Sequence, residues 1–243
     1  MSHDLVKIPE AARNLKDSHG FYDDFDHFVT ADRWTFVGDA GETQAVTDAA
    51  GGVISIACDG DDEDEAYIHT TYEMFLFAQN KPIVAEVRQS FEEAATDDAN
   101  CIVGFFNAFA AAILVDAGAG PKTTGSGFGF FKEDGETLWS VYASNGSSQT
   151  KVHLTASNSR DGIAKTAEAE STGTYQVLKF EFCPSASDRA HFHFHIDGIH
   201  VYTISDFDYS SSPTEMDLGF GIKAGGGATE TLFVDYAYAY QSR

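Results

Sequence analysis

One short stretch of the chain alternates three histidines with two phenylalanines: His191, Phe192, His193, Phe194 and His195. This period of two predicts a β-strand whose histidines share one face. Imidazole nitrogens bind zinc, and His200 follows across an Asp-Gly turn. Zinc motifs have tighter ligand spacing and supporting acids. We therefore expect the phenylalanines to face the core, the histidines to face solvent or a subunit contact, and no metal to be bound.

The densest run of charge is the segment 59–65, which is almost entirely acidic. Carboxylates at alternate positions are the ligands of calcium loops. The calcium-loop pattern requires glycine at its sixth position, where Asp64 stands. We interpret the run as a solvated loop between two strands.

Two further acids, Glu215 and Asp217, match the start of the E-x-D-x-E or E-x-D-x-x-E strand motif of laminarinase-type glycoside hydrolases. Retaining hydrolysis needs a nucleophile and an acid/base about 5 Å apart. Gly219 and Phe220 occupy the two positions at which the third acid stands in those motifs. The sequence therefore predicts no catalytic residue and no enzyme activity.

Composition limits the partners of the chain. The formal charge of −23 over 243 residues repels phosphate, which argues against nucleic acid and against an anionic membrane. The cysteines, Cys58, Cys101 and Cys183, are odd in number and lack a C-x-x-C pair, so we expect free thiols, mostly buried, in a reducing cytoplasm. No cofactor motif occurs.

The elements that position these residues are short strands separated by turn signals. A hydrophobic content of 43% supports one large sandwich, predicted over residues 21–243. The predicted strands are 33–37, 43–47, 53–57, 66–70, 74–78, 83–91, 101–106, 127–131, 138–143, 151–155, 175–182, 190–196, 199–205, 216–223 and 232–240. They suggest two packed antiparallel sheets of six or seven strands. An Ala-rich segment ending at Asp116 is expected to be helical or irregular.

Residues 1–20 differ from the rest and are predicted to form an N-terminal arm. Apolar residues recur there at helical spacing, Pro9 suits a first helical turn, and Gly20 suits a stop. A short amphipathic helix cannot bury its apolar stripe alone, so it docks either on its own sandwich or on a partner. The candidate contact residues are Leu5, Ile8, Ala12, Arg13, Leu15 and Lys16.

The later strands carry a family resemblance. The succession F-x-F-H-I-D-G-I-x-V, then G-F-G-I-K, then F-V-D-Y-A-Y-A-Y-Q resembles the concanavalin A-like, laminin-G-like jelly-roll superfamily over roughly residues 21–241. The resemblance implies an all-β fold, a two-sheet antiparallel β-sandwich. These motifs are generic to the fold and imply no activity.

A second resemblance concerns function. Several segments are similar to head-associated proteins of tailed bacteriophages: 21–25, 34–36, 64–68, 81–83, 97–105 and 118–121. This resemblance implies a capsid decoration or cement protein on the exterior of the virion, made in the host cytoplasm. Its implied partners are the major capsid protein and further copies of itself, a trimer being one arrangement.

Two other functions stay open. A glycan-binding module that adheres to host polysaccharide would need a stacking platform, for which Trp139, Tyr142 or loop tyrosines are the candidates. A glycoside hydrolase is disfavoured by the missing acid.

Overall fold

The computed structural model describes residues 17–47, 51–94, 97–110, 112–115, 119–167, 174–186, 188–210 and 214–243. These ranges form an all-β sandwich of two antiparallel sheets. None of the described residues lies in a helix. The described part of the chain therefore contains no helix that could span a membrane. The predicted fold class is confirmed.

The strands in the described part of the chain are β1 (Ser18–Asp23), β2 (Trp34–Gly38), β3 (Thr43–Val46), β4 (Ile54–Ala57), β5 (Glu65–Thr70), β6 (Ile83–Glu92), β7 (Ala99–Phe106), β8 (Ser126–Lys132), β9 (Ser140–Asn145), β10 (Gln149–His153), β11 (Gln176–Ala186), β12 (Arg189–Ile196), β13 (Ile199–Asp208), β14 (Asp217–Ala224) and β15 (Thr231–Ser242). The eight-stranded sheet has the order β13-β12-β11-β6-β15-β4-β3, with β1 also paired to β15. The seven-stranded sheet has the order β10-β9-β8-β7-β14-β5-β2. β13 and β10 are therefore edge strands.

Alternating burial places the core between the sheets. In β12 the phenylalanines are fully buried and the histidines half-buried, as the period of two predicts. Facing aromatic rings from the two sheets meet in this core, such as Phe130 and Phe194 at a centroid distance of 5.4 Å. Edge-to-face packing of this kind adds to the hydrophobic stabilisation of the sandwich.

A second apolar cluster lies on the outer face of the seven-stranded sheet. The chain between β7 and β8, of which residues 107–110, 112–115 and 119–125 are described, packs Phe109, Ile113 and Leu114 against that face. We call this the covering segment. As a result β7, β8, β9 and β14 are buried on both faces. The predicted Ala-rich segment is irregular in its described residues.

Most predicted strands are found, and three predictions need correction. One sheet has eight strands instead of the predicted six or seven, because β1 joins it through β15. The segment 74–78 is not a strand, because only Phe75 pairs in an isolated bridge with Met216, while the Gln241 side chain bonds the backbone of Leu76. β1 begins at Ser18, so residues 18–20 belong to the sheet and not to an arm. The predicted arm contacts, Leu5, Ile8, Ala12, Arg13, Leu15 and Lys16, lie outside the described residues.

Candidate functional site

The acids of the partial hydrolase motif lie at one end of the seven-stranded sheet. Asp217 is buried, and it accepts hydrogen bonds from Thr70 Oγ1 at 3.1 Å and from His69 Nδ1 at 3.0 Å. Glu215 is exposed. Burial, followed by the nearby charges of Asp217 and Glu215, raises the pKa of Glu73 beside them. The Asp217 carboxylate is thus engaged by hydrogen bonds from His69 and Thr70 within the fold.

The third position of that motif has no room for a side chain. A Cβ atom on Gly219 would lie 2.6 Å from the ring of Phe109 in the covering segment. Phe109 also stacks on His69, with ring centroids 5.6 Å apart and planes 10° apart. The covering segment thus occupies the space that a catalytic carboxylate at position 219 would need.

Trp139 and Tyr142 do not form the aromatic stacking platform that a glycan-binding module would need. Both side chains are fully buried, because Trp139 faces the core and Tyr142 lies in the second apolar cluster. Trp139 Nε1 donates to Gln176 Oε1 at 2.8 Å, and the Tyr142 hydroxyl donates to the Phe105 carbonyl at 2.9 Å. The loop tyrosine Tyr72, at 71% exposure, remains accessible.

The histidine strand lies on the open outer face of the eight-stranded sheet. Arg160 donates to His200 Nδ1 at 2.6 Å, so the neutral His200 ring carries its proton on Nε2 and donates to Thr203 Oγ1 at 2.8 Å. The Thr203 hydroxyl then donates to His193 Nδ1 at 2.9 Å. Burial is the main cause that lowers the pKa of both His193 and His200. Both rings are therefore neutral near pH 7.

The neighbouring histidine, His195, interacts with an acid. Its Nε2 lies 3.5 Å from Glu181 Oε2, and Lys179 Nζ lies 2.6 Å from Glu181 Oε1. The contact with His195, followed by that with Lys179, lowers the pKa of Glu181 to about 2. Among the described residues, the histidines of β12 do not form a group of three converging metal ligands.

The acidic run forms a turn, in which Asp59 and Asp61 are exposed and Asp64 is half-buried. The carboxylates of these three residues converge, as do those of Asp39, Glu42 and Asp64. A hydrogen bond with Asp59 is the main cause that raises the pKa of Asp64 to about 6. This turn therefore retains a proton between two carboxylates in mildly acidic solution.

The three thiols are held in their protonated form at neutral pH. Cys58, Cys101 and Cys183 are free, the first two buried and the third half-buried. Burial raises the pKa of Cys58 to about 12 and also raises the pKa of Cys101 and Cys183. A thiol that stays protonated is a poor nucleophile.

A polar groove of about 500 Å³ runs along β13, where the edges of the two sheets meet. We call it the β13 groove; its lining comprises Ser148, Thr150, Arg189, Tyr202, Thr203, Ile204, Ser205, Asp206, Phe207 and Asp208. Two hydrogen bonds reach the backbone of β13, one near each end of the groove. Arg160 N donates to the Val201 carbonyl, and Asn145 Nδ2 donates to the Asp208 carbonyl, each at 2.8 Å. Because β13 is an edge strand, part of its backbone faces the groove without a strand partner.

The β13 groove combines an apolar floor with a charged wall. Ile204 and Phe207 are nearly buried, and the half-buried Tyr202 packs against the main core. Arg189 Nη1 donates to the Asp206 carbonyl at 2.9 Å, and Arg189 Nη2 lies 3.7 Å from Asp208 Oδ2. Its volume lies within the range of small-ligand sites, and most of its lining residues can donate or accept hydrogen bonds.

Sequence reasoning did not find this groove. Its walls come from the start of β10 with the residue before it, from the first residue of β12 and from β13, and no sequence motif links them. The available signal was the polar end of β13, Ser205 to Asp208, which breaks the apolar alternation of that strand. The positive φ of 54° at Asp206 marks the same irregularity.

No family model matches the chain, and no curated protein matches it. Solved structures do match. The carbohydrate recognition domain of Emp47p gives a TM-score of 0.60 at 10% identity, covering 92% of this chain and 95% of that one. An endo-1,3-beta-glucanase from Streptomyces sioyaensis gives 0.58 at 14% identity, covering 93% and 97%.

Two further structures are similar. Peanut lectin gives a TM-score of 0.55 at 12% identity, covering 93% of this chain and 98% of the lectin. A protein of unknown function, SO2946 from Shewanella oneidensis MR-1, gives 0.53 at 14% identity, covering 93% and 87%. At these identities the likenesses establish a lectin-like, concanavalin A-like jelly-roll fold.

Proposed function

We propose that this chain is a lectin-like glycan-binding module that holds carbohydrate in the β13 groove without cleaving it. The observation that carries the proposal is the groove itself, in which a partly buried aromatic ring lies beside one guanidinium and two carboxylates. The fold is shared with a carbohydrate recognition domain and a lectin, which supports this reading.

The lining of the groove suits sugar chemistry. A pyranose ring has an apolar face and a rim of hydroxyls, each of which donates and accepts hydrogen bonds. The half-buried Tyr202 ring suits the apolar face, whereas Arg189 donates to hydroxyls and the aspartates accept from them. The free edge of β13 adds backbone donors and acceptors.

Binding without hydrolysis is the second part of the proposal. Asp217 is engaged by His69 and Thr70, and position 219 lies under Phe109. Glycoside hydrolysis requires two carboxyl groups flanking one sugar linkage. The covering segment therefore leaves no room for a hydrolytic cleft at the Glu215 to Gly219 motif.

The test is a glycan array followed by calorimetry on the full chain and two variants. Arg189→Ala removes donors from a side chain that is 43% exposed, so the fold should persist while affinity falls about tenfold or more. The matched control is Tyr72→Ala, an exposed ring outside the groove. Equal loss in both variants, or binding that Arg189→Ala leaves unchanged, would exclude the groove, and failure of every glycan to bind would exclude the function.

The resemblance to phage head proteins supports a second proposal, attachment to the capsid exterior. In this proposal the chain, as a homo-oligomer, contacts the major capsid protein through the N-terminal arm and leaves the β13 groove free for host polysaccharide. Cosedimentation with assembled heads at high salt tests it. A protein lacking residues 1–16 should stay folded and fail to sediment with heads, and normal decoration by that protein would exclude the arm as anchor.

A further inference from the structure

The charged residues of the β13 groove differ in how firmly they are held. Asp208 Oδ1 accepts from Ser210 N at 2.9 Å and from Ser210 Oγ at 2.6 Å, and its Oδ2 faces Arg189. These bonds to Ser210, with the nearby charge of Arg189, hold the pKa of Asp208 below its usual range. One negative charge in the groove is thus fixed in mildly acidic as well as neutral solution.

Asp206 has the opposite character. Its carbonyl accepts a hydrogen bond from Arg189 Nη1 at 2.9 Å, and its backbone has a positive φ of 54°. Its carboxylate lies 3.9 Å from Arg189 Nη1 and its side chain is 77% exposed, so its oxygens keep most of their hydrogen-bonding capacity for a ligand. The guanidinium faces both aspartates, which partly neutralise its charge, while its remaining N–H donors stay available to hydroxyls.

We infer that the β13 groove selects uncharged glycans and rejects acidic ones, with Asp206 as the specificity-determining residue; this inference rests on the proposed function. Two aspartates and one arginine give the groove one net negative charge, in a chain of formal charge −23. A carboxylate accepts two hydroxyl donors from adjacent sugar carbons, but it repels a uronate or sulfate placed there. Discrimination against a competitor by an unpaired or repulsive charge is a general route to specificity.

The experiment measures affinity for matched hexasaccharides of glucose, mannose and galactose and for the corresponding uronates, at low and high ionic strength. The full chain should bind the uronate of each pair about tenfold or more weakly than the neutral sugar at low salt, with a smaller difference at high salt. Asp206→Asn should narrow that difference several-fold, because it removes the exposed charge and keeps the size. Asp62→Asn, an exposed acid in the turn between β4 and β5, is the matched control.

The outcomes distinguish a failure of this inference from a failure of the proposed glycan-binding function. Uronates bound as tightly as the neutral sugars would overturn the inference while leaving glycan binding intact. Discrimination that Asp206→Asn does not change, or that Asp62→Asn changes equally, would also overturn it. If hexamers of glucosamine bind more tightly than every neutral hexamer, with strong salt dependence, the inference is also overturned. The preferred ligands of the groove would then be cationic glycans. If no hexasaccharide of any class binds, the proposed function itself fails.

Discussion

The outer face of the seven-stranded sheet lies under the covering segment, whereas the outer face of the eight-stranded sheet is open and ends at the β13 groove. The covered face carries two of the features that looked functional in the sequence, the Glu215 to Gly219 motif and Tyr142, whereas the histidines of β12 lie on the open face. The open side carries Arg189, Asp206 and Asp208, which belong to no motif. Accessibility therefore separates the two regions: aromatic residues and acids under the covering segment stabilise the fold, and polar residues at the sheet edge remain available to a ligand.

The strongest challenge to this comparison is to restore the hydrolase motif on the covered face. Gly219→Glu places a Cβ against Phe109 and a carboxylate in an apolar space, so we expect a loss of about 4–8 kcal/mol in the free energy of unfolding and no glucanase activity. Chemical denaturation and a β-glucan hydrolysis assay measure both. A stable, hydrolytically active variant would show that the covered face is an active site.

Removing the covering contact itself tests the same region by a smaller change. Phe109→Ala should cost about 3–5 kcal/mol, because the nearly buried ring packs on Tyr67, His69 and Phe106. Affinity for neutral glycans should stay unchanged, since the β13 groove lies at the edge of the sandwich. A Phe109→Ala variant with native stability and altered glycan affinity would mean that the covered face takes part in binding.

A buried carboxylate gives an intermediate effect with a defined pH dependence. Burial, then the charge of Glu93, raises the pKa of Glu230 from its usual 4.5 to about 7. The folded chain keeps this proton up to about pH 7 while the unfolded chain releases it near pH 4.5, so this contribution to stability falls as pH rises through that window and levels off above it.

Glu230→Gln should remove that slope and raise stability above pH 7 by on the order of 3 kcal/mol. Melting temperatures at several pH values, with the exposed Glu215→Gln as control, measure it. An unchanged slope in Glu230→Gln would show that Glu230 ionises normally in the folded chain.

The smallest expected effect lies on the open face. His193→Ala should cost under about 1 kcal/mol, whereas Phe194→Ala beside it should cost about 3–5 kcal/mol, because the histidine is half-buried and the phenylalanine fully buried. Chelator should leave the melting temperature of the parent chain unchanged. A chelator-dependent fall that His193→Ala abolishes would establish a metal site on this face.

The sequence predicted what depends on local alternation and missed what depends on distant packing. The alternation in β12 correctly assigned Phe192 and Phe194 to the core. The same rule failed at 74–78, because Phe75 and Phe77 point inward from an irregular segment and imitate a strand. It missed β1, whose pairing with the final strand β15 spans nearly the whole chain.

The candidate site was harder to predict than the fold. Trp139 and Tyr142 looked available because period-two patterns cannot show that a remote segment covers a sheet from outside. The β13 groove forms where Ser148 and Thr150 meet β13, and hydroxyl and acidic residues at a strand end are common in solvated turns as well. The groove exists only because the edges of the two sheets lie side by side, and this proximity cannot be inferred from either segment alone.

Backbone amide chemical-shift mapping tests the central claim most directly. The isotope-labelled full chain would be titrated with each neutral hexasaccharide. We predict shifts that concentrate at Arg189, at 202–208 and at 148–150, with the signals of Tyr72 and Glu73 unchanged. Shifts confined to the end of the seven-stranded sheet around Tyr72, or no shift with any hexasaccharide, would contradict the assignment of the β13 groove as the glycan site.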